Sequence, residues 1–134
     1  EKAGDRAALR AMHVYAENRR AKAQADALRR GDFDGFLALV RASGASSAMF
    51  LQNVIPTGQT ARQELMVTIA LCQALLGGRG AVRVHGGGFG GSVLALVPRA
   101  EVADFTETMD KLLGYRACRE VVVGGPGVLA RRLS

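Results

Sequence analysis

The residues most able to do chemistry lie at Gly86-Gly87-Gly88-Phe89-Gly90-Gly91, six positions that hold five glycines. Glycine is the residue that takes positive φ without penalty and lets backbone come close to a ligand. Successive exposed N–H groups in such a loop can cradle phosphate oxygens. The run is not a P-loop, because no Lys-Ser or Lys-Thr follows it. It is not a dinucleotide-binding turn either, because the apolar run Val93–Val97 follows where a helix should begin. Two readings fit: the tight turn of a hairpin, or a phosphate cradle. His85 stands immediately before the glycines and has the same two readings, a side chain facing phosphate or simply a strand end.

Other reactive side chains are more cheaply explained. His13 and Glu17 are four apart on one helical face. An acid–base pair or half a metal site would use that spacing, but a metal needs three or four ligands and only one further His exists, so a packed or hydrogen-bonded helix pair is expected. Asp32 and Asp34 flank Phe33 where a helix begins, as first-turn acids that complement the helix dipole. Glu101, Asp104, Glu107 and Asp110 follow the polar face of a late helix. Ser46 and Ser47 have no His–Asp arrangement nearby to make a hydrolytic nucleophile. Met12, Met49, Met66 and Met109 are expected as core filling. The cysteines, Cys72 and Cys118, are expected to be reduced thiols. No metal site is expected.

The elements that must position these residues follow from periodicity. From about Asp5 to Arg30 the stripe Leu9, Met12, Ala16, Ala23, Ala27 predicts a helix, with Arg10, Arg19, Arg20 and Lys22 mainly off it. Gly31 is its natural stop and Asp32 the N-cap of the next helix, faced by Phe33, Phe36, Leu37 and Val40. Ser43-Gly44-Ala45-Ser46-Ser47 interrupts that face as a kink, a turn or a close approach. Ile55-Pro56-Thr57-Gly58 is a loop. Thr60 with Gln63 reads as a capping box before a helix carrying Leu65, Ile69, Cys72 and Leu76, closed by Gly77-Gly78. Val82 and Val84 mark a strand, Val93–Val97 a second closed by Pro98, and the short link predicts an antiparallel pair. Val102, Phe105, Met109, Leu112 and Leu113 make an amphipathic helix stopped by Gly114. Ala117–Val123 reads as another strand and Val128–Ala130 as a last short one. Helices cluster first and strands later. That order predicts an α+β fold, N-terminal helices packed on a small, mainly antiparallel sheet, with strand–strand–helix–strand in the second half.

Length and charge bound the function classes. A chain of 134 residues suits one domain, residues 1–134, with a sizeable core. The net charge of +6 arises largely from scattered arginine pairs, and with no Trp and 5% aromatics there is little to stack on bases, so no nucleic-acid partner is expected. No apolar run approaches the roughly 18–20 residues of a membrane helix, and a cytoplasmic location is expected.

Arg83-Val84-His85-Gly86-Gly87-Gly88-Phe89-Gly90-Gly91 before an apolar strand resembles the third conserved motif of galactokinases, in the superfamily of galactokinase, homoserine, mevalonate and phosphomevalonate kinases. Arg10–Arg19 resembles the helix that opens the C-terminal half of those enzymes, Leu28–Phe33 the junction that follows it, and Ala42–Ser47 the Ser-rich stretch beyond. Val84-His85 and Ser92 stand where many galactokinases carry Met-Thr and Cys, and Gly44 where most carry His. The resemblance implies a ferredoxin-like C-terminal domain belonging to a longer two-domain chain. It implies transfer of phosphate from ATP, with Mg2+, to the anomeric hydroxyl of galactose or a related sugar. The catalytic carboxylate and the phosphate loop belong to the family's N-terminal half, so no catalytic residue is expected in this chain, which alone would be inactive and bind neither ATP nor Mg2+. Gly86, Gly87, Gly88, Phe89, Gly90 and Gly91 are implied to line the cleft beside the phosphoryl group, with His85 a possible addition. The partners implied are the sugar, ATP and the chain's own N-terminal kinase domain. An interdomain face exposed without that domain would favour dimers. The alternative is a stand-alone small-molecule or anion-binding module without catalysis.

Overall fold

The computed structural model describes residues 4–89 and 91–122. Helix α1 spans Asp5–Arg29, α2 Phe33–Ser46, α3 Glu64–Leu76 and α4 Val102–Leu113. Strands β1 (Ala81–Val84) and β2 (Val93–Leu96) form an antiparallel pair in which Ala81 faces Leu96 and Val84 faces Val93. Among the described residues this is an α+β fold with a two-stranded sheet.

Most of the punctuation acts as its chemistry requires. Gly31 ends α1 at φ +70, and the Asp32 carboxylate accepts the Gly35 N–H at 2.9 Å to cap α2. Asp32→Ala is expected to lower stability by about 1 kcal/mol, the usual worth of an N-cap, measurable as a shifted urea midpoint at unchanged slope. Gly77 and Gly114 close α3 and α4 in the left-handed region.

The sheet is a partition. Side chains alternate across a strand. Ala81 therefore faces α2, packing with Leu37, Val40, Phe36 and Leu96. Val82 and Val84 face the other way, into a cluster with Val54, Ile69, Cys72, Leu76 and Met109.

Five expectations need correction. Ala117 to Val122 forms no strand. The backbone N–H groups of Ala117 and Cys118 are donated to the Asp110 carboxylate at 2.8 and 2.9 Å instead, and Val122 is 86% exposed. An apolar β-branched run becomes a strand only when a sheet edge receives it. Val123 and the expected strand at Val128–Ala130 lie outside the described residues. The capping box does not form: α3 begins at Glu64, and the Gln63 side chain turns back to donate to the Thr60 carbonyl at 3.3 Å. The Ser43–Ser47 stretch does not break α2, which runs through Ser46 into a π-helical turn, Ser47–Leu51. Its close-approach reading holds at Gly44, where a Cβ would lie 2.8 Å from the Val82 carbonyl.

The predicted apolar stripe of α1 faces inward except at Met12: Ala27 is buried and Leu9, Ala16 and Ala23 are half-buried, but Met12 is 58% exposed. Polar residues share that face, with His13 buried and the Glu17 and Arg20 side chains only 25% and 14% exposed. His13 and Glu17 find partners on α2 and β1, and Arg20 pairs with Glu17 within α1, so the polar groups that turn in are hydrogen-bonded. Of the methionines, Met109 is core and Met66 packs against it, but Met12 and Met49 lie exposed.

Candidate functional site

β1 carries the chain directly into the glycine run, and the ladder extends one step further, with the His85 N–H donated to the Ser92 carbonyl at 2.9 Å. The run is thus the turn of a hairpin. Gly86, Gly88 and Gly91 have φ of +66, +79 and +78, so glycine is required at each by backbone geometry. Phe89 takes φ +54, which non-glycine residues seldom adopt. Gly90 lies outside the described residues.

What holds the hairpin's shape is Asn53. It follows the π-helical turn and Gln52, which is itself left-handed at φ 57 and ψ 46. Two uncommon non-glycine conformations, at Gln52 and Phe89, therefore flank one contact, the pattern of local strain that clusters at functional positions. Asn53 is 4% exposed. Its side-chain Nδ2 donates to the Gly87 carbonyl at 3.2 Å, and its main-chain carbonyl accepts the Phe89 N–H at 3.0 Å. A Cβ at Gly88 would fall 2.1 Å from that carbonyl oxygen. Among the described residues, the Asn53 Oδ1 and the Ser47 Oγ are buried without a hydrogen-bond partner.

At the root of the hairpin lies a polar joint. Arg83 donates from Nη1 to the Ser43 Oγ at 2.6 Å and to the Glu17 Oε1 at 3.2 Å, and from Nε to the Val84 carbonyl at 3.1 Å. Ser43 also donates to Glu17, and Arg20 pairs with Glu17 from within α1. Burial alone would raise the Glu17 carboxyl. The Ser43 hydrogen bond and the Arg20 and Arg83 charges outweigh it and hold the carboxyl below its usual range. One turn earlier, His13 Nδ1 shares a hydrogen bond of 2.9 Å with the Ser46 Oγ. His13 and Glu17 thus share a face, as their spacing predicts, but each is partnered across the helix–helix contact by a different serine.

No protein-family model matches the chain.

Gly86, Gly87, Phe89 and Gly91 are exposed on the hairpin, and Gly88 is half-buried against Asn53. His85 is exposed at the strand end. Two concavities of about 400 and 230 Å3 are lined by Pro56, Gln59, Arg62 and Glu64, and by Arg41, Gln73, Leu76, Gly78, Gly80, Ala81 and Val82. Neither is lined by the glycine hairpin. Among the described residues no three His, Cys, Asp or Glu side chains converge to hold a metal ion, and no helix is long and apolar enough to cross a membrane. Both cysteines are free. Burial, then the neighbouring Cys118, pushes the Cys72 thiol up to about 11, leaving it a poor nucleophile at neutral pH.

Sequence reasoning passed over Asn53, Gln52 and the Glu17–Ser43–Arg83 joint. The one signal was a polar pair, Gln52-Asn53, inside the otherwise apolar stretch from Met49 to Ile55.

Proposed function

We propose that this chain is the C-terminal domain of an ATP-dependent sugar 1-kinase of galactokinase type, and that its glycine hairpin lines the interdomain cleft beside the transferring phosphoryl group. The observation that carries the reading is the hairpin itself. Its positive-φ glycines leave backbone exposed at a strand end, and Asn53 braces it from behind. Phosphoryl transfer needs little covalent chemistry from the protein. It needs positioning and electrostatic support, which backbone N–H groups supply in a closed, water-poor site. MgATP and the sugar, galactose or a relative, are the substrates. The hairpin's exposure fits a surface completed by an N-terminal kinase domain carrying the phosphate loop and the catalytic carboxylate. The Arg83 joint, rooted in α1 and α2, keeps the hairpin's base fixed while that domain closes.

The test is ADP release from the full-length parent, given MgATP and a panel of sugars, with the 134-residue chain as control. Turnover with one sugar by the parent, and none by the chain alone, is the expected result. A parent that releases no ADP with any sugar overturns the kinase reading and leaves an anion-binding module. Turnover by the chain alone overturns the division of labour between domains.

A further inference from the structure

The contact between Asn53 and the glycine hairpin has a directional consequence. A peptide unit is planar and trans, so its C=O and N–H point to opposite sides. The Gly87 carbonyl is turned toward Asn53 to accept from Nδ2, so the Gly88 N–H of the same peptide points away from Asn53. The Phe89 N–H is turned toward Asn53 to reach its main-chain carbonyl, so the Gly88 carbonyl of that second peptide also points away. One residue therefore sets both peptide planes that flank Gly88. We propose that Asn53 is the positioning residue of the glycine hairpin. By gripping the Gly87 carbonyl and the Phe89 N–H it decides which way the hairpin's N–H groups face, and so whether they can receive phosphate oxygens.

Three observations support this role over general packing. The Asn53 side chain uses its donor, while its buried Oδ1 has no partner among the described residues. An amide retained there only to fill space has no need of a polar atom left unpaired at a cost of about 1–3 kcal/mol. Next, the approach is too close for any side chain at position 88, where a Cβ would sit 2.7 Å from the Asn53 Cβ as well as 2.1 Å from its carbonyl oxygen. Last, the glycines at 87 and 88 make turning over their shared peptide cheap, so a specific contact is needed to choose one orientation. Asparagine can serve that choice because it donates. Aspartate at position 53 can only accept. It would face the Gly87 carbonyl with a carboxylate and favour the turned-over peptide, which offers it the Gly88 N–H.

The ligand class, phosphate oxygens of a nucleotide or a sugar phosphate, rests on the kinase reading above; the grip itself does not. The experiment therefore reads the two separately. Amide spectra of the 15N-labelled 134-residue chain would be recorded for wild type, Asn53→Ala, Asn53→Asp and Gly88→Ala, each titrated with inorganic pyrophosphate. In the wild type the amides of Gly86 to Phe89 are expected to shift saturably. Asn53→Ala, which deletes one hydrogen bond, is expected to bind pyrophosphate about tenfold more weakly. Asn53→Asp is expected to lose the response and to move the Gly88 amide strongly downfield even without ligand, while core amides such as Val84 and Met109 stay in place. A merely structural asparagine would give Asn53→Ala and Asn53→Asp the same ligand-free hairpin spectrum, and that outcome overturns the proposal. Wild-type-like pyrophosphate binding in both variants overturns it too. A wild type that ignores pyrophosphate removes the phosphate reading, and the ligand-free Gly88 and Phe89 amides then decide the grip alone. Should Asn53→Asp not fold, Gly88→Ala addresses the same contact from the other side. An unmoved Phe89 amide there overturns the grip.

Discussion

Gly80→Ala is expected to lower stability by about 3 kcal/mol and the Tm by roughly 10 °C, as overpacking against rigid backbone does. Gly80 lies between the left-handed end of α3 and the first residue of β1. A Cβ there would stand 2.1 Å from the Leu96 carbonyl oxygen and 3.1 Å from a methyl of Leu76. The Leu76 contact can yield by a rotamer change, but the carbonyl belongs to the Ala81–Leu96 pair that opens the two-stranded ladder. Relief comes only by parting β1 from β2, and among the described residues no third strand shares the loss. Gly87→Ala is the control, since nothing lies within 4 Å of a Cβ at that position and its φ is not positive. Thermal melts of both variants check the expectation. A Gly80→Ala protein melting within a degree or two of Gly87→Ala would mean that the strands part without cost.

The second large effect lies in the polar joint. Glu17→Ala is expected to destabilise by about 2 kcal/mol near neutral pH, because it leaves two partly buried guanidinium groups, Arg20 and Arg83, without their shared carboxylate. Arg83→Ala is expected to cost less, because Glu17 keeps Arg20 and Ser43. The side chains of Glu17 and Arg83 are each 25% exposed, so the pair is shielded from water but not dry, and its energy sits well below the buried limit. The pH dependence has a defined sign. The folded Glu17 carboxyl titrates below its unfolded value, so its stabilising share is fully present above the unfolded value and is lost as the pH falls through the lowered folded one. The stability gap between wild type and Glu17→Gln should therefore be widest near neutrality and shrink in acid. Urea titrations at several pH values measure it, and a gap that stays constant into acid would remove the ion network from the account of how α1 is held.

Much of this fold is written locally. The boundary between α1 and α2 could be placed from Gly31 and Asp32 because each acts on its own backbone neighbours, one by accepting positive φ and the other by capping an N–H three residues on. The hairpin was legible for the same reason: alternating Val82 and Val84, a glycine run and a second apolar run need no distant partner to be recognised. The late helix from Val102 to Leu113 followed from spacing alone. The glycines of the candidate site were visible as glycines, and their need for positive φ is a property of the residue.

What failed to be legible depended each time on an element distant in sequence. The apolar pattern at Ala117–Val122 matched a strand, but in the fold Asp110 takes the N–H groups of Ala117 and Cys118. The apolar stripe of α1 turns inward except at Met12, but periodicity does not show that His13, Glu17 and Arg20 share that face. Their partners, Ser46, Ser43 and Arg83, stand 26 to 66 residues away from them in the case of His13 and Glu17. Asn53 is marked locally only as half of a polar pair in an apolar stretch, because what it grips lies 34 residues further on. Composition and periodicity by themselves determined which segments are α-helices, where α1, α3 and α4 stop, and that a glycine hairpin follows a strand, since those outcomes rest on interactions within a few residues. Only the tertiary structure decided which polar side chains join the buried face of α1 and which residue shapes the hairpin, since both depend on hydrogen bonds that the fold alone brings within 3 Å or so of their partners.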